Sequence, residues 1–172
     1  MGFERKARRE MKQLVADTGP ILHLHEAGAL HLLPLIGEIF LPPMVAAELR
    51  SLNPALPSKF VKPQTLSSTA QRRALEWQRA GFLHGGESEA LALALEIKPD
   101  WFLTDDAAAR LMAESLKIEA HGSIGVLLWA AANKLVKMPE AKLLWFGLEK
   151  SSLWMSPKVR LEARAALEKI LV

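Results

Sequence analysis

Short apolar runs alternate with longer stretches of helical periodicity along this chain. Leu14-Val15-Ala16 is closed by Asp17 and by Thr18-Gly19-Pro20. A run that ends in a Gly-Pro turn, with proline at the first helical position, predicts strand, turn, helix. Ile21, Leu22, Leu24 and Ala27 follow at helical spacing, and a second short helix is predicted over Leu30 to Leu35. Ile39-Phe40-Leu41, bounded by Pro42-Pro43, is the next β-like run, and Val45 to Leu49 continues as helix. Asn53 to Pro63 holds three prolines and few periodic apolar positions, which predicts a loop. Thr69 to Ala80 returns to the helical period, and Gly85-Gly86 opens a helix rich in Ala and Leu through Ile97. Trp101-Phe102-Leu103 is a third strand, and Asp105-Asp106 starts a helix ending near Leu116. Ile118-Glu119-Ala120 is a weak fourth strand, followed by an apolar helix from Ile124 to Val136. Two more helices are predicted, about Glu140 to Lys150 and Pro157 to Ile170.

Strands alternating with helices predict an α/β fold, a central short parallel sheet flanked by helices. The 172 residues suit a single domain, with 137–172 expected as a C-terminal helical extension packed on it. Half the residues are apolar and 24% are charged, an ordinary globular balance. The chain has no cysteine, which excludes disulfide scaffolds, thiolate zinc sites and cysteine nucleophiles together. The longest apolar run, Ile124 to Ala132 broken only by Gly125, is too short to span a bilayer. No apolar stretch follows the charged amino terminus as a secretory signal requires, so a cytoplasmic protein with no membrane partner is expected. The formal net charge of +3 resides in residues 1–13, where Arg5, Lys6, Arg8, Arg9 and Lys12 outnumber Glu4 and Glu10. This basic leader is expected to be a short solvated segment; a fraying helix, a nucleic-acid contact or a true start at Met11 are the alternatives.

The acids carry the chemistry. Open parallel sheets bind ligands at the carboxyl ends of their strands, where strand hands over to helix. Asp17 ends the first strand, Glu48 lies on the helix after the second, and Glu87 and Glu89 open the helix after the double glycine. Asp105 and Asp106 follow the third strand, so three of the chain's four aspartates occupy handover positions. Taken singly, each has a structural explanation. Asp17 and Asp105 suit N-caps, a preference worth about 1 kcal/mol. Glu87 and Glu89 suit a first helical turn, where the dipole favours acids by roughly 0.3–1 kcal/mol, and Glu48 suits a solvated helix face. Together they point further. Carboxylates converging on one cleft repel unless their pKa values rise or a cation neutralises them. Hard divalent ions, Mg²⁺ or Mn²⁺, take oxygen ligands of this kind. Such a centre activates water for phosphodiester hydrolysis and needs no side-chain nucleophile.

Val15 to Leu22 with Asp17, Leu41 to Leu49 with Glu48, Gly86 to Ala94 with Glu87 and Glu89, Phe102 to Asp106, and His121 to Leu128 follow one another in this order. In that order and spacing they resemble the motifs of the PIN (PilT N-terminus) domain family, and in particular a stand-alone PIN-like branch. The resemblance spans Leu14 to about Val136, so 14–136 is expected to be a PIN-like nuclease domain and the tail the branch's helical extension. It implies catalytic, metal-binding carboxylates at Asp17, Glu48, Glu89 and Asp106, with Glu87 and Asp105 as competing metal ligands. Many members have serine two residues after the first Asp, where this chain has Gly19. Ser123 is expected either to bring a hydroxyl near the metals or to cap the helix that follows it. The family's activity implies a Mg²⁺- or Mn²⁺-dependent endoribonuclease leaving 5′-phosphate and 3′-hydroxyl ends. Many members are toxins silenced by a small antitoxin protein, and dimers are frequent, so an antitoxin and a homodimer join RNA as implied partners.

Other patterns add less. His23 and His25 are two apart on a predicted helix and do not face one site. No His-Glu-x-x-His zinc signature, phosphate loop or dinucleotide fingerprint occurs. Arg50, Lys59, Lys62, Arg72 and Arg73 form a basic interval with no acid between Glu48 and Glu76, and Arg79 follows just beyond it. Lys59, Lys62, Arg72 and Arg73 are the RNA-contact candidates, with a solvated face as the alternative. Trp77, Trp101, Trp129, Trp145 and Trp154 are able to stack bases, although the pattern around most of them is that of packing residues. Two rival readings remain. A non-catalytic PIN-like module that binds RNA or a protein would not need metal. A phosphoacceptor receiver domain shares the layout but needs a lysine after a late strand, and Glu119 to Ser123 has none.

Overall fold

The structure is a computed structural model that describes residues 11–52 and 58–172. Five strands form its sheet: β1 (Lys12–Ala16), β2 (Gly37–Leu41), β3 (Val61–Pro63), β4 (Trp101–Leu103) and β5 (Ala120–His121). They lie in the order β3-β2-β1-β4-β5, and every pairing is parallel. Parallel neighbours need crossovers, and helices supply them. Among the described residues these are α1 (Thr18–Glu26), α2 (Leu33–Ile36), α3 (Pro43–Leu52), α4 (Ser68–Arg79), α5 (Gly85–Ile97), α6 (Ala107–Ser115), α7 (Ser123–Ala132), α8 (Met138–Lys150) and α9 (Pro157–Leu171).

Successive strand residues point to opposite faces of a sheet. Leu14, Val15 and Ala16 of β1 are all fully buried, as are Phe102 and Leu103 of β4 with Trp101 nearly so. Both faces are therefore covered, and this is why these strands read as unbroken apolar runs rather than alternating ones. The helices form two packed groups, α3, α4 and α6 gathered around α5, and α1, α8 and α9 gathered around α7. The α8–α1 contact is close: a Cβ at Gly147 would fall 2.4 Å from the Ala27 carbonyl oxygen, so only glycine lets α8 approach the end of α1. No helix among the described residues is long and apolar enough to cross a membrane.

The single-domain α/β architecture expected from the pattern is the one observed, with differences at its margins. Residues 1–10 of the basic leader lie outside the described residues, as do residues 53–57 of the predicted loop. Lys12 and Gln13 already belong to β1, where Lys12 pairs with Gly37 and the Gln13 amide donates to Asp100 at 2.7 Å. Val61–Pro63, predicted as loop, is the edge strand β3, paired with Ile39 to Leu41. Proline, which cannot donate to a ladder, is tolerated at such an edge, and its presence is what disguised the strand. The weak strand expected over Ile118 to Ala120 pairs instead through Ala120 and His121. Helix α7 stops at Ala132, short of Val136, because Lys134 turns into the left-handed region at φ 57°.

Candidate functional site

Strand order reverses between β1 and β4, since β2 and β3 extend on one side and β5 on the other. The crevice outside the carboxyl ends of two such strands is where open α/β sheets bind ligands. A cleft of about 530 Å³ opens there, and Asp17, Glu48, Glu87, Asp105 and Asp106 all contribute to its lining.

Asp17 is the deepest, at 5% exposure. Its amide donates to the Leu103 carbonyl at 2.9 Å, which carries the β1–β4 ladder one residue past β1. Its side chain caps α1, Oδ1 accepting from the Thr18 amide at 2.6 Å. The buried Thr104 hydroxyl lies 3.3 Å from Oδ2 as donor and accepts from the Asp106 amide at 3.2 Å. One threonine therefore ties together the aspartates that follow β1 and β4. Burial pushes the Asp17 carboxyl up to about 7, with the charges of Glu87 and Glu48 adding to the rise and the Thr18 and Thr104 hydrogen bonds opposing it. Asp106 caps α6, its Oδ1 accepting from the Ala109 amide at 2.7 Å.

The opposite wall is helical. Glu48 on α3 is held by a short hydrogen bond from the Thr18 hydroxyl to Oε2. Its carboxylate lies against the backbone of Gly86, where a Cβ would come within 2.8 Å of both oxygens. Glu87 stands in the first turn of α5, with Oε2 accepting from the His84 amide at 2.9 Å. Its neighbour Glu89 faces elsewhere: Oε2 accepts from the Met44 amide at 2.8 Å, in the first turn of α3.

The paired aspartates divide in the same way. Asp105 accepts the Ser123 amide on Oδ1 at 2.7 Å, and on Oδ2 the Ser123 hydroxyl at 2.5 Å. His23 Nδ1 lies 2.7 Å from the same Oδ2. Asp105 thus ties α1 and α7 to the β4–α6 turn, and the fully buried Ser123 spends its hydroxyl on that tie.

A family model described as PIN domain matches residues 13–169. The chain belongs to the PIN domain family. PIN domains are generally nucleases. A search of curated proteins finds no match to this chain.

In this PIN domain the cleft collects Asp17, Glu48, Glu87, Asp105 and Asp106, with Asp105 tied to Ser123 and His23, while Glu89 and Ser123 stand outside its lining. Among the described residues no group of three or more His, Cys, Asp or Glu side chains is gathered closely enough to enclose a metal ion. The donor set nevertheless fits a hard cation that keeps part of its water shell. Mg²⁺ is usually held by one or two carboxylates plus waters and substrate phosphates, not by an all-protein cage. A carboxyl raised to about 7 by burial among other carboxylates is a group that such an ion would relieve.

None of Lys59, Lys62, Arg72 and Arg73 lines the cleft. Lys62 on β3 is 3.8 Å from Glu38, and Lys59 stands 4.9 Å over the Phe60 ring. The start of α4 is tied to the end of α5 by Ser67 and Glu96, and its end to the start of α5 by Gln78 and Ser88. Helix α4 therefore runs antiparallel to α5 and brings Arg79, rather than Arg72 and Arg73, to the cleft end. Sequence reasoning passed over Thr18, Thr104 and Gly86, and weighed His23 only as a partner of His25. The two threonines sit beside the acids of the motifs, which was the available signal. His23 has no local signal, because its partner is 82 residues away.

Proposed function

We propose that this PIN domain is a divalent-metal-dependent endoribonuclease acting in the cytoplasm. The observation that carries the reading is the convergence of Asp17, Glu48, Glu87 and Asp106 on one cleft at the switch point of the sheet. These four would hold Mg²⁺ or Mn²⁺; Glu87 takes the place the resemblance gave to Glu89, which is occupied at the Met44 amide. A divalent ion there supplies Lewis acidity and a water of lowered pKa for hydrolysis of a phosphodiester. The protein's own part is orientation. Thr104 fixes Asp17 and the Asp106 backbone relative to each other, and Thr18 fixes Glu48, so ligands from separate elements are set before substrate arrives. Such preorganisation is what keeps reorganisation out of the chemical step.

The toxin role, an antitoxin partner and a homodimer form part of the same proposal. The exposed Leu143 and Phe146 of α8, one turn apart, are apolar side chains available to a protein partner. One observation favours the rival, a non-catalytic RNA- or protein-binding module: the acids are each held by protein donors and enclose no ready cage. Incubation of a mixed single-stranded and structured RNA pool with Mg²⁺ or Mn²⁺ separates the two. Cleavage lost in EDTA and in the Asp17→Asn, Asp106→Asn double variant is the expected result. Absence of cleavage together with absence of metal stabilisation would establish the binding module instead.

A further inference from the structure

Of the five tryptophans, Trp101 and Trp145 are buried at 3% and 5% exposure, and Trp154 is 83% exposed. Trp154 lies between α8 and α9, at the edge of the acid cleft. It also lines a second cleft of about 640 Å³, whose walls include Leu111, Ile124, Leu128 and Val159, with Arg110 beside them. Asp105, Ala107, Leu153 and Trp154 belong to both linings, so the two clefts are continuous around the indole.

The connection that carries Trp154 is fixed on both sides. The Ser152 amide and hydroxyl both donate to Glu26 Oε2 at 2.7 Å, and the Ser151 hydroxyl donates to the Leu148 carbonyl at 2.7 Å. Met155 is buried in the core at 7% exposure, and Ser156 caps α9. A large aromatic side chain is thus presented to solvent from a backbone segment that does not need to reorder. Fixing the backbone that carries a contact residue beforehand lowers the ordering penalty of binding through it.

We infer that the second cleft receives the base of a nucleotide flanking the scissile phosphate, with that base stacked on the Trp154 indole. The inference rests on the acid cleft holding the phosphate, as proposed above. The occupant follows from continuity and chemistry. A single strand whose backbone passes the carboxylates can place its next base along the shared wall. There it meets an aromatic face, aliphatic sides and the Arg110 guanidinium. Stacking of this kind tolerates any base and requires an unpaired strand, so the site selects single-stranded over duplex substrate without reading sequence.

The test measures binding of a labelled short oligoadenylate by anisotropy, in Mg²⁺, to the full chain carrying Asp17→Asn so that the strand is not consumed. Adding Trp154→Ala is expected to weaken binding about 5- to 100-fold, the effect of losing one stacked base, while Trp154→Phe stays within about threefold because a π-face is retained. An abasic strand of the same length is expected to bind alike with and without the Ala substitution. Equal oligoadenylate binding by the Trp and Ala forms overturns the inference, as does an equal loss for the abasic strand. Cleavage by the otherwise wild-type chain is followed alongside. A chain that binds through Trp154 but never cleaves removes the nuclease reading and leaves the base site standing. A chain that cleaves with KM unaffected by Trp154→Ala does the reverse.

Discussion

The two walls of the cleft carry the same charge but are built differently. Asp17 and Asp106 leave the carboxyl ends of β1 and β4, cap α1 and α6, and are joined through the buried Thr104. Glu48 and Glu87 reach in from α3 and α5 on longer side chains, each half-buried and held by a local donor, the Thr18 hydroxyl or the His84 amide. The aspartate wall is part of the folding architecture, and the glutamate wall is placed on it. Substitutions in the first are expected to change stability as well as activity, and substitutions in the second to change activity alone.

Asp17→Asn should have the largest effect. Loss of a metal-holding carboxylate from phosphodiester hydrolysis is expected to lower cleavage by at least about 10²-fold, since the charge stabilisation involved amounts to several kcal/mol. Stability should respond in the opposite sense. The Asp17 carboxyl titrates near 7 in the fold against a reference of 3.8, so between those values the folded chain holds a proton that the unfolded chain has released. The Asp17 contribution to the unfolding free energy without metal should therefore be greatest below pH ~4, fall as pH rises, and level off above pH ~7. The drop is on the order of 4 kcal/mol at most. Asparagine caps a helix as well as aspartate does and has no charge to bury, so urea unfolding of the variant should lack this slope. Saturating Mg²⁺ should flatten the slope of the wild type by stabilising it above pH ~6. A slope unchanged by the substitution would place the buried carboxyl's titration elsewhere.

The next contrast lies within the glutamate wall. Glu87→Gln removes a cleft charge and should lower cleavage by about 10-fold or more, with a melting temperature close to that of the wild type. Glu89→Gln alters the first-turn tie to the Met44 amide and should leave cleavage within about threefold, with a stability loss of roughly 0.5–1.5 kcal/mol for the weakened hydrogen bond. The reverse ranking would return Glu89 to the site and Glu87 to a capping role, where its bond to the His84 amide already gives it one.

That pair also marks how far the sequence could be read. The strands β1 and β4 were legible because burial on both faces leaves unbroken apolar runs and because aspartate stands at their ends, and β2 was legible from its apolar run closed by Pro42-Pro43. Side-chain direction was less legible. Glu87 and Glu89 are two apart on a helix and face different ways, and deciding which one enters the cleft needs the position of α3, set by contacts more than 40 residues away in sequence. Asp105 and Asp106 pose the same difficulty, resolved by Ser123 and His23, which lie 18 and 82 residues from Asp105. Edge strand β3 was hidden by its proline, and β5, only two residues long, was legible as a weak strand but with its bounds shifted by up to two residues.

Thr104→Val sharpens the claim that the aspartate wall is one unit. Valine matches the shape of threonine without its hydroxyl, so the fully buried site keeps its packing. It loses the donor to Asp17 and the acceptor for the Asp106 amide. Destabilisation of about 1–3 kcal/mol is expected from groups left without partners in the interior. Because the threonine hydrogen bond opposes the rise in the Asp17 carboxyl, its removal should move the pH-dependent fall in stability toward higher pH. The stability change caused by Thr104→Val should then differ between the wild-type and the Asp17→Asn backgrounds, as expected for residues sharing one network.

Gly86→Ala is the smallest change and the most selective. The new methyl group would stand 2.8 Å from both Glu48 oxygens, too close to be accommodated without movement. The group in its way is the end of a flexible side chain, so the carboxylate swings aside while the backbone holds. Alanine is also favoured over glycine within a helix by up to about 1 kcal/mol, and Gly86 is the second residue of α5. Thermal unfolding should therefore change by no more than about 1 kcal/mol in either direction, while Glu48 leaves the position that Thr18 sets for it. Cleavage should fall several-fold and metal titration should shift to higher concentration. Should stability drop by several kcal/mol instead, the glutamate wall would be as deeply built into the fold as the aspartate wall, and the distinction between them would fail.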